Sequence, residues 1–358
     1  MSLSVTAVRR AEPEDLDVVG AIEAVARGGS PRGVRSGAER VAEGTLLVIG
    51  QPVIGFAHVL PGDPWRLVAL HVHPDAHGVG IGTTLLHAVY GVVLDAGGDA
   101  VLVGPDPAAA SWFEREGFTP QSSGEWRRPV VDEPVPVPAV SVLPVRDGDS
   151  GSLEVFVQHR VGSMDFVPNA VVFPGGRVDP EDAEAGAALD LDAELVADHV
   201  RAWEVTAHDL LGGGEVAART LLATALREVE EETGARIDAG ALIPWDDWIT
   251  PIGGPKRFDV RFFLLPVTDP EFGGTFGHTT TEAHHSGWSP VAEVLAGAED
   301  RSLMLVAPTR VLVDELARIP DTAAAAALRP PVVPVHHDLC PPGPRRDRLV
   351  AAKDPTSG

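Results

Sequence analysis

Residues 225–235 read ALREVEEETGA. In a helix, side chains at i, i+3 and i+4 share one face, so Glu228, Glu231 and Glu232 converge on a single turn. Val229 and Leu226 can face a core, and Arg227 can steer one of the carboxylates with the fork of its guanidinium. Like charges so placed repel by a few tenths of a kcal/mol per pair. A hard divalent cation removes that penalty, and Mg2+ is typically held by a few carboxylates together with substrate phosphates. Gly234 is a natural left-handed stop for the helix. Upstream, FPGGRVD at 173–179 sets a glycine turn after a strand, where backbone can approach a metal or phosphate closely. A solvated acidic helix is the competing reading of the glutamates alone; FPGG ahead of them favours a site.

Working outward, VSVLPV and LEVFVQHR flank the turn-rich RDGDSG, the pattern of a hairpin. Residues 183–234 are helical in character, split in two by the glycines at 212–214. RFDVRFFLLPV reads as a long strand, SPVAEVLAG and TRVLVDELARI as helices, and the chain from Pro330 onward as a tail. Toward the N-terminus, RRPVVDEPVPVPAV at 127–140 carries four prolines. Proline excludes helix and disfavours a central strand, so this stretch reads as an extended tether with few contacts. Before it, TLLVIG and PVIGFAHVL pair as a hairpin, WRLVALHVHP and AVLVG are strands, and GTTLLHAVYGVVLDAGG and PAAASWFEREGF are helices.

Composition narrows the function. The chain has 358 residues, 44% of them hydrophobic, which fits two domains with real cores. Lys and Arg number 28 against 52 Asp and Glu, a net charge of −24 that repels phosphate backbones and argues against a general nucleic-acid binder. One cysteine, Cys340, allows no internal disulfide. No apolar run approaches the ~18 residues of a membrane span, and the N-terminus turns charged before a signal core forms. The expected location is the cytoplasm, with no membrane partner and a homodimer as the assembly to look for.

The C-terminal segment resembles the Nudix hydrolases, whose box reads G-x5-E-x7-R-E-U-x-E-E-x-G-U. Arg227, Glu228, Val229, Glu231, Glu232, Gly234 and Ala235 fill its second half, and Gly176 takes the first position. Asp182 stands where the family has its first Glu, and 44 residues rather than seven separate it from Arg227. This looks like the long-insert branch, which includes a coenzyme A diphosphatase. The resemblance covers about residues 139–330. It implies an α/β/α sandwich with a helical insertion at about 183–218, and hydrolysis of a nucleoside diphosphate linked to another group with Mg2+ or Mn2+. It also implies Glu228, Glu231, Glu232 and the Gly175 carbonyl as metal ligands. Glu231 and Arg227 then belong to the catalytic machinery, and Glu282, in the later loop FGHTTTEAHHSGW, is the candidate general base. His278, His284 and His285 of that loop read as solvated. Of the upstream pattern of the coenzyme A branch, only Arg160 fits.

HVHPDAHGVGIGTTLL, residues 71–86, places Gly78, Gly80 and Gly82 between a strand and a helix, where amides at a helix start can cradle pyrophosphate. With the late helix ASWFEREGF, this resembles the GNAT acetyltransferases over about residues 4–126. The resemblance implies a mixed sheet with flanking helices that binds acetyl-coenzyme A or coenzyme A through Val79, Gly80, Gly82 and Thr83. His77 stands where the family has Gln or Arg, and Phe113 replaces the tyrosine that protonates the departing thiolate in many members. Tyr90 is the only tyrosine. His71 or His73 could act as general base.

The expected architecture is therefore α/β (α+β): residues 1–128 a GNAT-like domain, 129–138 a linker, 139–330 a Nudix domain and 331–358 a tail. Its partners would be a nucleotide-diphosphate substrate and acyl-coenzyme A. An N-acetyltransferase with an accessory Nudix part, or a non-catalytic coenzyme A sensor regulating the hydrolase, are the alternatives.

Overall fold

The computed structural model describes residues 8–26, 37–42, 45–50, 52–78, 80–131, 134–148, 151–161, 170–206, 211–252, 256–279, 283–300, 302–336 and 348–351. The chain divides into two compact units. The first comprises residues 1–136, 249–257 and 335–342; the second comprises 137–248, 258–334 and 343–358.

Unit 1 contains β1 (Arg9–Arg10), α1 (Leu16–Ala26), α2 (Gly37–Ala42), β2 (Leu46–Ile49), β3 (Gly55–Leu60), β4 (Trp65–Val72), α3 (Ile81–Asp95), β5 (Ala100–Val103), α4 (Ala110–Arg115), β6 (Thr119–Pro120) and β7 (Trp126–Pro129). The strands form one sheet in the order β1-β2-β3-β4-β5-β7-β6. The β2–β3 and β3–β4 pairs are antiparallel, whereas β4 and β5 run parallel and pair only from Trp65 to Leu67. Beyond Leu67, β4 continues without β5 beside it and leads to the glycine turn. One core cluster packs α3, through Leu85, Leu86, Val89 and Val93, on Leu47, Ala57 and Val101, and it takes in Ile252 from the distant segment 249–257.

Unit 2 contains β8 (Val137–Asp147), β9 (Leu153–Arg160), β10 (Ala170–Val172), α5 (Pro180–Ala188), α6 (Ala193–Trp203), α7 (Gly214–Thr233), β11 (Ile243–Ile249), β12 (Phe258–Pro266), α8 (Pro270–Gly273), β13 (Ala283–Pro290), α9 (Val291–Glu299), β14 (Met304–Leu305), α10 (Ala307–Leu316) and α11 (Thr322–Ala327). Strands β14, β10, β9, β8, β12 and β11 follow one another across its sheet, and β13 pairs with β9. Strand β8 meets β9 only between Val145 and Asp147, while β9 meets β10 only at Gln158 and His159. The gap between them is filled by the segment after β10: Val142 N–H donates to Pro174 O and Val140 N–H to Gly176 O, each at 2.8 Å. This seats the FPGG turn against β8. Leu221, Leu222, Ala225 and Val229 of α7 pack on Val140, Val142, Phe156 and Phe263, so the acidic helix covers that face of the sheet.

Three features differ from the sequence reading. The insertion holds two helices ahead of α7, because Asp192 caps a new one by accepting Glu194 and Leu195 amides. The proline-rich stretch is partly strand, with β7 ending at Pro129 and β8 starting at Val137. Past Pro330, Val332, Val333 and Val335 are buried, and Arg348 is buried against Glu315.

Candidate functional site

The acidic turn of α7 is organised around Arg227. Its Nε donates to Asp182 Oδ1 and its Nη2 to Asp182 Oδ2, both at 2.8 Å. Its Nη1 donates to Glu228 Oε1 at 2.8 Å and to Glu231 Oε2 at 3.2 Å. A second acceptor for Nη2 is the Arg177 carbonyl at 3.2 Å. These partners hold the guanidinium firmly in its charged form, against the opposing effect of its burial. Asp182 is buried and also accepts the Thr224 hydroxyl and the Asp179 amide, each at 2.9 Å. Burial pushes its carboxyl up, but the Arg227 fork, the amide and the hydroxyl outweigh it and hold the group below the usual carboxylate range.

The three glutamates occupy different environments. Glu228 is buried, and desolvation pushes its carboxyl above the usual range against the pull of Arg227. Glu231 is open, its side chain 60% exposed. Glu232 is buried and accepts the Gly175 amide at 2.9 Å, tying helix to turn. Gly175 has φ +155°, and a Cβ there would lie 2.7 Å from Ser141 Cα; a Cβ on Gly176 would collide with the Glu228 carboxylate. Only glycines let this turn close on the helix.

The donor set is all oxygen, the chemistry that Mg2+ and Mn2+ take, and the Gly176 cradle brings backbone against Glu228. As arranged, Arg227 bonds Glu228 and Glu231, and among the described residues no three Asp, Glu, His or Cys side chains are gathered around one point; a metal on the acidic turn would take Glu231 away from Arg227. Glu282 lies outside the described residues. Of its loop, His278 Nδ1 is 3.0 Å from Ser286 Oγ, and His284 and His285 ring against His159 at 5.7 and 5.6 Å. Arg257 and Arg261, basic residues beside β12, are buried: Arg257 donates to the Thr250 and Pro134 carbonyls, and Arg261 pairs with Asp259.

In unit 1, Gly78 and Gly80 have φ +78° and +84°, with nothing within 4 Å of an added Cβ. Gly80 is the N-cap of α3, so this open space adjoins the start of the helix. Val79 lies outside the described residues. Gly82 faces inward: its Cβ would meet Leu70 and Trp112 at 3.7 and 3.8 Å. The Thr83 hydroxyl donates to Glu116 at 2.7 Å and accepts from Trp112 Nε1 at 3.4 Å. His77 Nε2 bonds the Val72 carbonyl at 2.8 Å, His73 accepts the Asp75 amide, and the His71 ring lies 5.3 Å from Phe56. Phe113 is buried among Trp112, Phe118 and Trp126. Tyr90 is fully buried with its hydroxyl unpartnered, and burial pushes that hydroxyl far up. A Tyr90 so placed is no proton donor to a thiolate.

Sequence reasoning missed Thr224, which shares Asp182 with Arg227, and the buried Gln158 on β9. Neither sits in a motif.

Residues 42–120 match the acetyltransferase (GNAT) domain family. In sequence, the chain is 32% identical over 124 residues to a Caenorhabditis elegans protein named "Putative nudix hydrolase 7", covering 32% of this chain and 40% of that one. The chain thus spans about two-fifths of that relative's length. Among solved structures, a NUDIX hydrolase from Alicyclobacillus acidocaldarius is similar at TM-score 0.42 and 23% identity, covering 54% of this chain and 96% of that one. An N-acetylglutamate synthase from Neisseria gonorrhoeae, complexed with coenzyme A and N-acetyl-glutamate, is similar at TM-score 0.31 and 17% identity, covering 35% of each chain. Residues 42–120 are thus similar to GNAT acetyltransferase domains, and a further stretch of the chain is similar in sequence to a protein named as a Nudix hydrolase. No helix among the described residues is long and apolar enough to cross a membrane.

Proposed function

We propose that the chain is a Mg2+- or Mn2+-dependent hydrolase of a diphosphate bond in a nucleoside diphosphate conjugate, with coenzyme A or an acyl-coenzyme A among the substrates to test. The observation that carries this reading is the joined set Asp182–Arg227–Glu228–Glu232–Gly175, which fixes a carboxylate turn against a glycine turn. Glu228, Glu231, Glu232 and the Gly175 carbonyl would hold the metal. Bound there, it would neutralise phosphate charge and lower the pKa of an attacking water. Arg227, clamped by Asp182, orients Glu228 and Glu231. The Glu232–Gly175 bond keeps the backbone turn in place for the phosphates. Glu282 remains the candidate base of this reading. The domains are taken as 1–128 and 139–330. Screening the purified full chain with Mg2+ against coenzyme A, NADH, ADP-ribose and dinucleoside polyphosphates tests the proposal; no hydrolysis of any of them would sink it.

A second reading concerns unit 1: its glycine turn binds acyl-coenzyme A, as sensor or as acetyltransferase. Phe113 and the sealed Tyr90 favour binding over transfer, since neither offers a proton where the thiolate would leave. Calorimetric titration with acetyl-coenzyme A tests it.

A further inference from the structure

Gln158 is 97% buried by its 3% exposure, and its Nε2 has no hydrogen-bond partner. A buried amide left unpaired costs about 1–3 kcal/mol, so its presence calls for an explanation. Its neighbours supply one. Gln158 lies directly opposite Ser286 in the β9–β13 pair, two residues along from Phe156 opposite Trp288. Opposed residues share a sheet face and alternate along a strand. Phe156 belongs to the core under α7, so Gln158 and Ser286 lie on the face that the acidic helix covers. Ser286 is buried and bonds His278. His278 is itself held to the end of α7 by its two neighbours: Gly277 N–H donates to Thr233 O at 2.8 Å, and the Thr279 hydroxyl donates to Glu231 O at 2.8 Å. Three segments thus bring an amide and a hydroxyl onto the sheet face under α7, and an imidazole beside the last turn of that helix.

We infer that Gln158 and His278, set on either side of Ser286, form a subsite for a phosphate oxygen of the substrate. This rests on the hydrolase reading. When the Ser286 hydroxyl donates to Nδ1, Nε2 of the exposed His278 carries the hydrogen and is a donor. The free Gln158 Nε2 is a second donor. Two neutral N–H donors suit an acceptor-rich ligand, and phosphate oxygens are that chemistry in a diphosphate conjugate.

The test uses the full chain with Mg2+, the conjugate it hydrolyses best, and inorganic pyrophosphate and adenosine as competing probes. Gln158→Leu and His278→Ala should each raise KM about 10-fold, with kcat within about threefold, and weaken pyrophosphate inhibition in parallel. Adenosine inhibition should not move, and His278→Gln should restore part of the loss. The melting midpoint of Gln158→Leu should stay or rise, because an unpaired amide has gone; a structural role alone would change stability and leave KM untouched. His278 is exposed, so its variants test the subsite even if Gln158→Leu folds poorly. KM and pyrophosphate inhibition within about twofold of wild type in the folded variants overturn the subsite while the hydrolase stands. If wild type hydrolyses nothing, pyrophosphate titration still decides: binding lost in the variants keeps the subsite without the hydrolase, and no binding by wild type removes both.

Discussion

Arg227 holds Asp182 through two parallel hydrogen bonds of 2.8 Å across 44 intervening residues. The insertion between them leaves the clasp intact because its helices fold back on α7. A Cβ on Gly186 of α5 would lie 2.6 Å from the Arg219 carbonyl, which shows how tightly the two helices meet. Asp182 is the third residue of α5 and completes the capping box begun by Asp179, so one carboxylate caps the start of a helix and fixes the arginine. Asp182→Ala should cost about 1.5–3 kcal/mol, since it removes the doubly bonded partner of a partly buried guanidinium that keeps Glu228 and Glu231. Urea unfolding followed by circular dichroism checks this; a loss below about 1 kcal/mol would show the clasp to be incidental.

Glu231 is the exposed member of the acidic turn, so its loss should touch chemistry before folding. Glu231→Gln is expected to keep the melting midpoint and lower turnover by at least ~100-fold, with chelation of divalent metal doing the same to wild type. Turnover near normal in Glu231→Gln would remove it from the ligand set.

At the α3 turn, the two glycines should behave oppositely. Gly80 has φ +84°, so Gly80→Ala strains the backbone by about 1 kcal/mol, and Gly80→Asp would put a carboxylate at the helix start and abolish acetyl-coenzyme A binding. Gly82 sits in the helix with ordinary room for a Cβ, so Gly82→Ala should stabilise by about 0.5–1 kcal/mol and leave binding alone. Calorimetry with acetyl-coenzyme A on both variants separates them; equal effects would mean the cradle is misplaced.

Ile252 is 3% exposed within the core cluster of unit 1. Ile252→Ala should lower the stability of that unit by about 2–4 kcal/mol. Faster hydrogen exchange in α3 and β5 is the expected readout, and unchanged protection there would contradict the assignment. A fragment beginning at residue 139 separates Ile252 from the rest of its cluster.

What the sequence made legible follows from range. The acidic turn, the helix stop at Gly234 and the glycine turns are local patterns with a fixed period, and α7 and α3 stand where those patterns place them. The unpaired Gln158 and its alignment with Ser286 depend on strand register between segments more than 120 residues apart, which no local period encodes. Arg257 and Arg261 are scarce bases beside a strand, open in the sequence to phosphate contact or to structural pairing; their carbonyl and Asp259 partners come from long-range packing that no local pattern specifies. Ile252 joins unit 1 through a similar long-range packing.

The insertion supplies a pH test. His199 of α6 is 1% exposed and stacks on Phe263 at 5.8 Å, with Trp203 edge-on to the same ring. Burial lowers its pKa to about 4, with Arg329 adding to the effect and the Leu242 backbone and Asp198 opposing it. The ordinary value is 6.5, so the unfolded chain takes up a proton that the folded one refuses. The contribution of neutral His199 is therefore whole above about pH 6.5. It is lost as pH falls toward 4, by roughly 3 kcal/mol at the limit. His199→Gln removes the titration, so its stability should vary less between pH 7 and 4.5 than that of wild type. Urea midpoints of unit 2 across that range give the comparison. Parallel curves for the two proteins would mean that His199 is protonated as readily folded as unfolded, and that its packing against Phe263 does not exclude the charge.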